Sequence, residues 1–235
     1  MIPSKNKNMF PSKRFFLPAS LFSCFVLLLT LPSKGIGRVI EEGSLSISIK
    51  GEKVGYESYT WETTQRGYLL RVEGRLTKPV SVEIERLLIE TDKNFIPLRY
   101  DFWGTMSGVR QEIASVISDG FVENTVRVSG QEQTSRIQIT RDALLLPNPV
   151  LSPYVIVGKR FGCGFEGRRT LSAYIIPQIE TPLTLHASDQ NPCLLFLQLG
   201  ETFVELEIDE GGRLKKVHIP SQNLLAVGDS YSSGS

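Results

Sequence analysis

Ser44-Leu45-Ser46-Ile47-Ser48-Ile49 alternates polar and apolar residues without error, and much of the chain after residue 43 keeps that period of two. In an extended strand successive side chains point to opposite faces, so this pattern builds a strand with one wet and one buried side. Val54–Thr64 follows, with the strand-favouring Tyr56, Tyr59 and Trp61. Tyr68, Leu70, Val72 and Leu76 define the next apolar face, with Gly74 a candidate bulge. Val80, Val82 and Ile84 alternate with Ser81, Glu83 and Glu85 until the phase slips at Arg86-Leu87-Leu88, as it does at a bulge. Ile96, Leu98, Tyr100 and Phe102 share one face of a further strand.

The punctuation between these segments is turn chemistry. Gly51-Glu52, Gln65-Arg66-Gly67, Thr91–Asn94 and Thr105–Gly108 separate the runs. Asp119-Gly120 joins Val109–Ser118 to Phe121–Val128 and is the type I′ dipeptide whose twist matches a hairpin. Gln133–Thr140 gives one more strand, and Arg169–Pro177, Thr181–His186, Leu194–Gly200, Thr202–Ile208 and Leu214–Pro220 continue the series. No stretch sustains a helical period beyond two turns, although Val150–Val157 admits one short helix. The expected fold is all-β: a single, mostly antiparallel, strongly curved sheet, a β-roll or unclosed barrel.

Asp142–Phe161 breaks the rhythm. It is the longest apolar block after the N-terminal segment, and Pro147, Pro149 and Pro153 keep it from forming a long strand or helix. Such a block needs a surface to bury against, so it is expected to cover the sheet where its two parts meet.

Residues 1–37 carry Lys5, Lys7, Lys13, Arg14 and Lys34 and no acid, and Phe15–Leu31 is an uncharged apolar run. With Pro32, Ser33 and Gly35 behind it, this segment reads as a signal peptide. At about 17 residues the run sits at the short end for a membrane span, which leaves an uncleaved anchor as the alternative. Leu21-Phe22-Ser23-Cys24 makes a poor lipobox because of the bulky Phe22. The expected organisation is a signal at 1–37, a β-roll domain at 38–227 and a flexible tail at 228–235, in an exported protein of the periplasm or cell envelope. Beyond residue 37 there are 21 Lys and Arg against 25 acids, a net charge of −4. A mildly acidic domain is a poor match to the phosphate backbone, so no nucleic-acid partner is expected.

Chemistry-bearing motifs are sparse. Gly104–Gly108 only superficially resembles a nucleophile elbow, and Gly228-Asp229-Ser230 has no following helix to orient a serine. His186 and His218 are the sole histidines, each in a strand pattern, and Glu83 and Glu85 fit a solvated strand face. A hydrolase would have to use one of the two histidines. No catalytic residue, cofactor or metal site is expected. Cys163 and Cys193 remain after the signal, either as a disulfide suited to an exported domain or as two separate thiols.

The candidate ligand-binding residues are Trp61, Tyr100, Phe102, Tyr154, Lys159 and Arg160: aromatic side chains beside the apolar block, and two cations that with Arg168 and Arg169 flank the Gly162-Cys163-Gly164 turn.

The opening Gly51–Glu57 strand, the meander through Val128 and the closing Glu207–Leu214 hairpin together resemble the bacterial exported families with a spiral β-roll or unclosed β-barrel. That group takes in periplasmic lipoprotein carriers, glycolipid-binding proteins and uncharacterised exported families. The resemblance implies an apolar cavity between a curved sheet and its cover, and no catalysis. Two functions follow as expectations. One is binding or carriage of an apolar or amphiphilic, lipid-like molecule, with transient membrane contact. The other is a structural or interaction module with a filled core and an envelope protein as partner.

Overall fold

The computed structural model describes residues 37–231, with side chains as far as Asp229. The expected signal segment, apart from Gly37, and the last four residues of the expected tail lie outside them.

Among the described residues fifteen strands form one sheet. The first eight are β1 (Val39–Ile49), β2 (Glu52–Thr63), β3 (Gly67–Leu76), β4 (Val82–Asp92), β5 (Pro97–Met106), β6 (Val109–Ser118), β7 (Phe121–Val128) and β8 (Gln131–Gln138). After a two-residue β9 (Leu144–Leu145) comes the helix α1 (Tyr154–Phe161). The chain then forms β10 (Arg168–Ile175), β11 (Ile179–Ala187), β12 (Leu194–Leu199), β13 (Thr202–Ile208), β14 (Leu214–Ile219) and β15 (Leu224–Tyr231).

The sheet order is β8-β7-β6-β5-β4-β3-β2-β1-β15-β14-β13-β12-β11-β10-β9. This is sequence order with the chain's two ends brought together in mid-sheet, where β1 pairs antiparallel with β15. The sheet's open ends are β8 and β9, which are consecutive in sequence. The proline-spaced block thus leaves the sheet at its seam, as expected of a covering segment. All pairings are antiparallel except β9 with β10.

Four hairpins turn on two residues that both have positive φ: Lys50-Gly51, Ser107-Gly108, Asp119-Gly120 and Ser129-Gly130. This is type I′ geometry, whose twist matches the flanking strands. The first turn is centred one residue earlier than the sequence suggests. Register shifts at Val72/Gly74 and Ile84/Arg86 fall at the two expected bulges.

Two expectations need correction. The strand β15 runs through Gly228 to Tyr231, so residues 228–231 are not a tail. Its small residues are a condition of close pairing: a Cβ on Gly228 would lie 2.7 Å from the Leu214 carbonyl oxygen. The helix starts at Tyr154 rather than Val150, because Pro153 suits a helix start, where no N–H is needed. In β2, Tyr56 lies on the outer face, away from Tyr59 and Trp61. It is 51% exposed, and the inner neighbour in phase with them is Glu57.

The inner faces make one continuous core. Leu45, Ile47, Leu70, Leu87 and Ile89 from the first half face Leu183, Leu185, Leu195, Leu197 and Leu206 from the second, with Val155 of α1 among them, and all are fully buried.

Candidate functional site

The cover is held by two buried acids on adjacent strands. Glu57 of β2 is fully buried and stands beneath the segment leading into α1. Its two oxygens accept from the Leu151 amide at 2.9 and 3.1 Å, and one of them also accepts from the Ser152 amide and hydroxyl, each at 2.6 Å. A carboxylate here satisfies amides at the helix approach and lies at the positive end of its dipole. Gly74 of β3 faces Glu57 across the β2–β3 ladder, and a Cβ there would crowd the Glu57 side chain at 3.0 Å. Burial nevertheless raises the Glu57 carboxyl above the usual carboxylate range, outweighing its hydrogen bonds.

Glu41 of β1 holds the far end. It accepts from the Tyr59 hydroxyl at 2.8 Å and from the Lys159 ammonium at 2.5 Å, and Lys159 also donates to the Gly211 carbonyl at 3.1 Å. Burial and the adjoining Glu41 push the Tyr59 phenol up, so it stays a donor. Gly43 leaves the space into which the Tyr59 ring packs, since a Cβ on it would lie 2.5 Å from that ring. At Gly158 the helix meets the β13–β14 turn, where a Cβ would stand 2.7 Å from the Gly212 oxygen. Just beyond α1, Cys163 is bonded to Cys193 with a Cα–Cα separation of 4.3 Å. The cover is therefore tied at the start, along the body and at the end of α1.

The two cover ends meet opposite rims of the barrel. At the rim carrying the β1–β2, β3–β4, β5–β6 and β12–β13 turns, the sheet and the Leu146–Leu151 segment leave a cavity of about 710 Å³. Ile49, Leu76, Met106 and Leu199 come from the sheet side, and Leu146, Val150 and Tyr154 from the cover. Val80 at this rim is 39% exposed. Polar groups are few: Thr181, Thr202, Asn148, Gln222 and Lys78, the last paired with Glu52 at 2.8 Å. Burial pushes the Tyr154 phenol up, so at neutral pH it keeps its proton. A mostly apolar hollow of this size with a few polar groups fits an apolar or amphiphilic molecule.

Of the six residues singled out from sequence, Tyr154 alone lines this cavity. Trp61 is buried in a stack with Tyr68 and Phe95, at centroid distances of 5.2 and 6.2 Å. Tyr100 and Phe102 are core residues of β5. Lys159 is committed to Glu41, and Arg160 donates to the Asp142 carbonyl at 3.0 Å. The cavity lies at the rim opposite these two cations, so they form no charged mouth for it. Its lining was hard to find in sequence because it gathers residues beside turns scattered from Ile49 to Leu224.

The overall arrangement has a counterpart among solved structures. A β-barrel-like protein of the domain of unknown function DUF1849 from Brucella abortus is similar over 84% of this chain and 98% of its own, with 10% identity and a TM-score of 0.51. The chain has a β-barrel-like fold. A DUF1089-family protein from Pseudomonas aeruginosa matches over 86% of this chain and 95% of its own, at 13% identity and a TM-score of 0.38. No family model matches the sequence, and no curated protein matches it. At 10% identity the likeness to the Brucella protein concerns the fold alone.

The histidines stand apart from the cavity. His218 Nδ1 is 2.9 Å from Glu205 Oε2 across the β13–β14 ladder. His186 packs against Phe196 at a centroid distance of 5.1 Å. Among the described residues no cluster of three or more His, Cys, Asp or Glu side chains is arranged to hold a metal ion. Glu85 is paired with Arg110 at 2.7 Å, on the exposed surface.

Proposed function

We propose that the protein is a non-enzymatic binder or carrier of an apolar or amphiphilic, lipid-like molecule, exported to the cell envelope. The observation that carries this reading is the cavity of about 710 Å³ between the barrel rim and Leu146–Leu151, lined by aliphatic side chains with few polar groups. The apolar part of the ligand lies against Leu76, Leu146 and Leu199, and its polar end meets Lys78, Thr202 or Gln222 near the rim. Resemblance to the lipoprotein-carrier and glycolipid-binding group supports the same class of ligand.

The test is native mass spectrometry and lipid extraction of the full chain purified from its own envelope. A co-purified amphiphile, reduced by about tenfold in a Thr202→Trp variant that fills the cavity, is the expected result. An empty wild-type protein that also takes up no fluorescent fatty acid removes the reading.

The alternative is a structural or interaction module. The triple tie of the cover through Glu57, Glu41 and the disulfide favours it, since a cover so held is slow to move. An envelope protein co-purifying at stoichiometric level with an empty cavity would support this second reading.

A further inference from the structure

The edge strand β8 is exposed from Gln131 to Arg136, and its far side has no strand beside it among the described residues. Its backbone polarity can be assigned. The Ser129-Gly130 turn makes Val128 and Gln131 the closing pair of a two-residue hairpin, and Ile139 donates to the Gly120 carbonyl at 2.8 Å. Odd-numbered residues of β8 therefore bond to β7, and Glu132, Thr134 and Arg136 direct their N–H and C=O groups to the free edge.

Side chains of the same three residues share one face. Glu132 pairs with Arg127 of β7 at 2.6 Å, and Arg136 lies 3.7 Å from Glu123. A long free edge is a template for another strand. The charges on this one determine which strand and in what register.

We infer that β8 pairs antiparallel with β8 of a second copy of this chain, about a twofold axis at Thr134. In that register Glu132 faces the partner's Arg136, and Arg136 faces the partner's Glu132. The three residues whose backbone groups point outward then meet one another, so the ladder's hydrogen bonds and its opposite charges are satisfied together. Moving the axis to residue 132 sets Glu132 against its own copy, and moving it to 136 does the same with Arg136. Axes at 133 and 135 leave the charges facing Thr134, Gly130 or Gln138. The row across the interface becomes Arg127, Glu132, the partner's Arg136 and the partner's Glu123, alternating in sign throughout. An edge of eight residues is small beside the ~1,600 Å² of a standard stable interface, so the dimer is weak and depends on concentration and salt.

Sedimentation velocity of the full chain over a concentration series tests this. Wild type is expected to show a reversible monomer–dimer equilibrium. Glu132→Arg and Arg136→Glu each set like charges opposite in a homodimer and should each weaken it about tenfold. Mixed one to one, the two variants bring the introduced arginine of one copy against the introduced glutamate of the other. The native Arg136 and the native Glu132 then face each other at the second contact, and dimer should return. Thr134→Pro removes an N–H that β7 does not use and should leave a monomer with unchanged circular dichroism. A wild type that stays monomeric at every concentration overturns the inference, as does association that is equal in all these samples. None of these outcomes depends on the cavity being occupied.

Discussion

The Glu57 carboxylate and the Ser152 side chain meet at 2.6 Å inside the barrel, joining the second strand to the turn before the only α-helix among the described residues. The two residues are 95 positions apart, and the bond sets where the cover enters the core.

Replacing Glu57 with Gln keeps the shape but exchanges one of the two acceptor oxygens for an N–H donor that faces the Leu151 and Ser152 amides. A loss of roughly 1–3 kcal/mol is expected, and more for Glu57→Ala. The pH dependence has a definite sign. Burial raises the folded-state carboxyl above its ordinary value of 4.5, so the native protein holds this proton to higher pH than the unfolded chain does. Its contribution to stability is complete below about 4.5 and is lost as pH rises through the raised folded value. The midpoint of thermal unfolding of wild type, measured against Glu57→Gln, should therefore fall as pH is raised from acid toward neutral.

Gly158→Ala tests how closely the helix is seated. Alanine is the better helix former by roughly 0.5–1 kcal/mol. Its Cβ, however, would meet the Gly212 carbonyl oxygen, a backbone atom, at 2.7 Å. The clash should win by about 1–3 kcal/mol, a lowering of the midpoint of several degrees in differential scanning calorimetry. A variant more stable than wild type would show that the turn yields easily.

Loss of the Cys163–Cys193 bond frees the end of α1 from the start of β12. The sequence separation is 30 residues, which in the chain-entropy model corresponds to roughly 3–4 kcal/mol. Both single Cys→Ser variants should lose about this much in urea unfolding. Added reductant should lower the wild type to the same level and leave the variants unchanged.

Asn124 spans the seam. It accepts from Ser115 at 2.7 Å and donates to the Tyr174 hydroxyl at 2.9 Å and the Pro177 carbonyl at 3.2 Å. The Tyr174 hydroxyl also reaches the Pro177 carbonyl at 2.7 Å. This polar group connects β6 and β7 to the β10–β11 turn across the place where, among the described residues, no ladder closes the sheet. Asn124→Ala should cost about 1–3 kcal/mol by stranding these partners. Hydrogen exchange should speed up chiefly in β7, β8 and the Ile175–Ile179 turn, while β1–β3 stay protected.

Much of this architecture is written in local chemistry. The alternation in Ser44–Ile49 and in Tyr68–Leu76 assigns the inner and outer faces of those strands, because side chains in a strand change sides at every residue. The Asp119-Gly120 pair fixes a hairpin, because few residues accept positive φ at both turn positions. The three prolines of Asp142–Phe161 mark where the sheet has to break. A signal for the Glu57 contact with the cover is also present: Glu57 is in phase with Tyr59 and Trp61. Its role stayed hidden because an acid facing inward gains its donors from residues nearly a hundred positions away.

What local pattern left open was decided by contacts between distant segments. Leu224–Tyr231 is a strand because β1 and β14 lie on either side of it and Gly228 lets a neighbour approach, whereas its own small and polar residues resemble a tail. Lys159 and Arg160 became supports rather than a binding rim because Glu41 and Asp142 reach them in the folded chain. The cavity itself belongs to no segment. The sequence by itself determined the strands and their faces, since those follow from neighbouring residues. Tertiary structure decided which strands meet, which charges are buried and where space remains, since those depend on how fifteen strands curve around one cover.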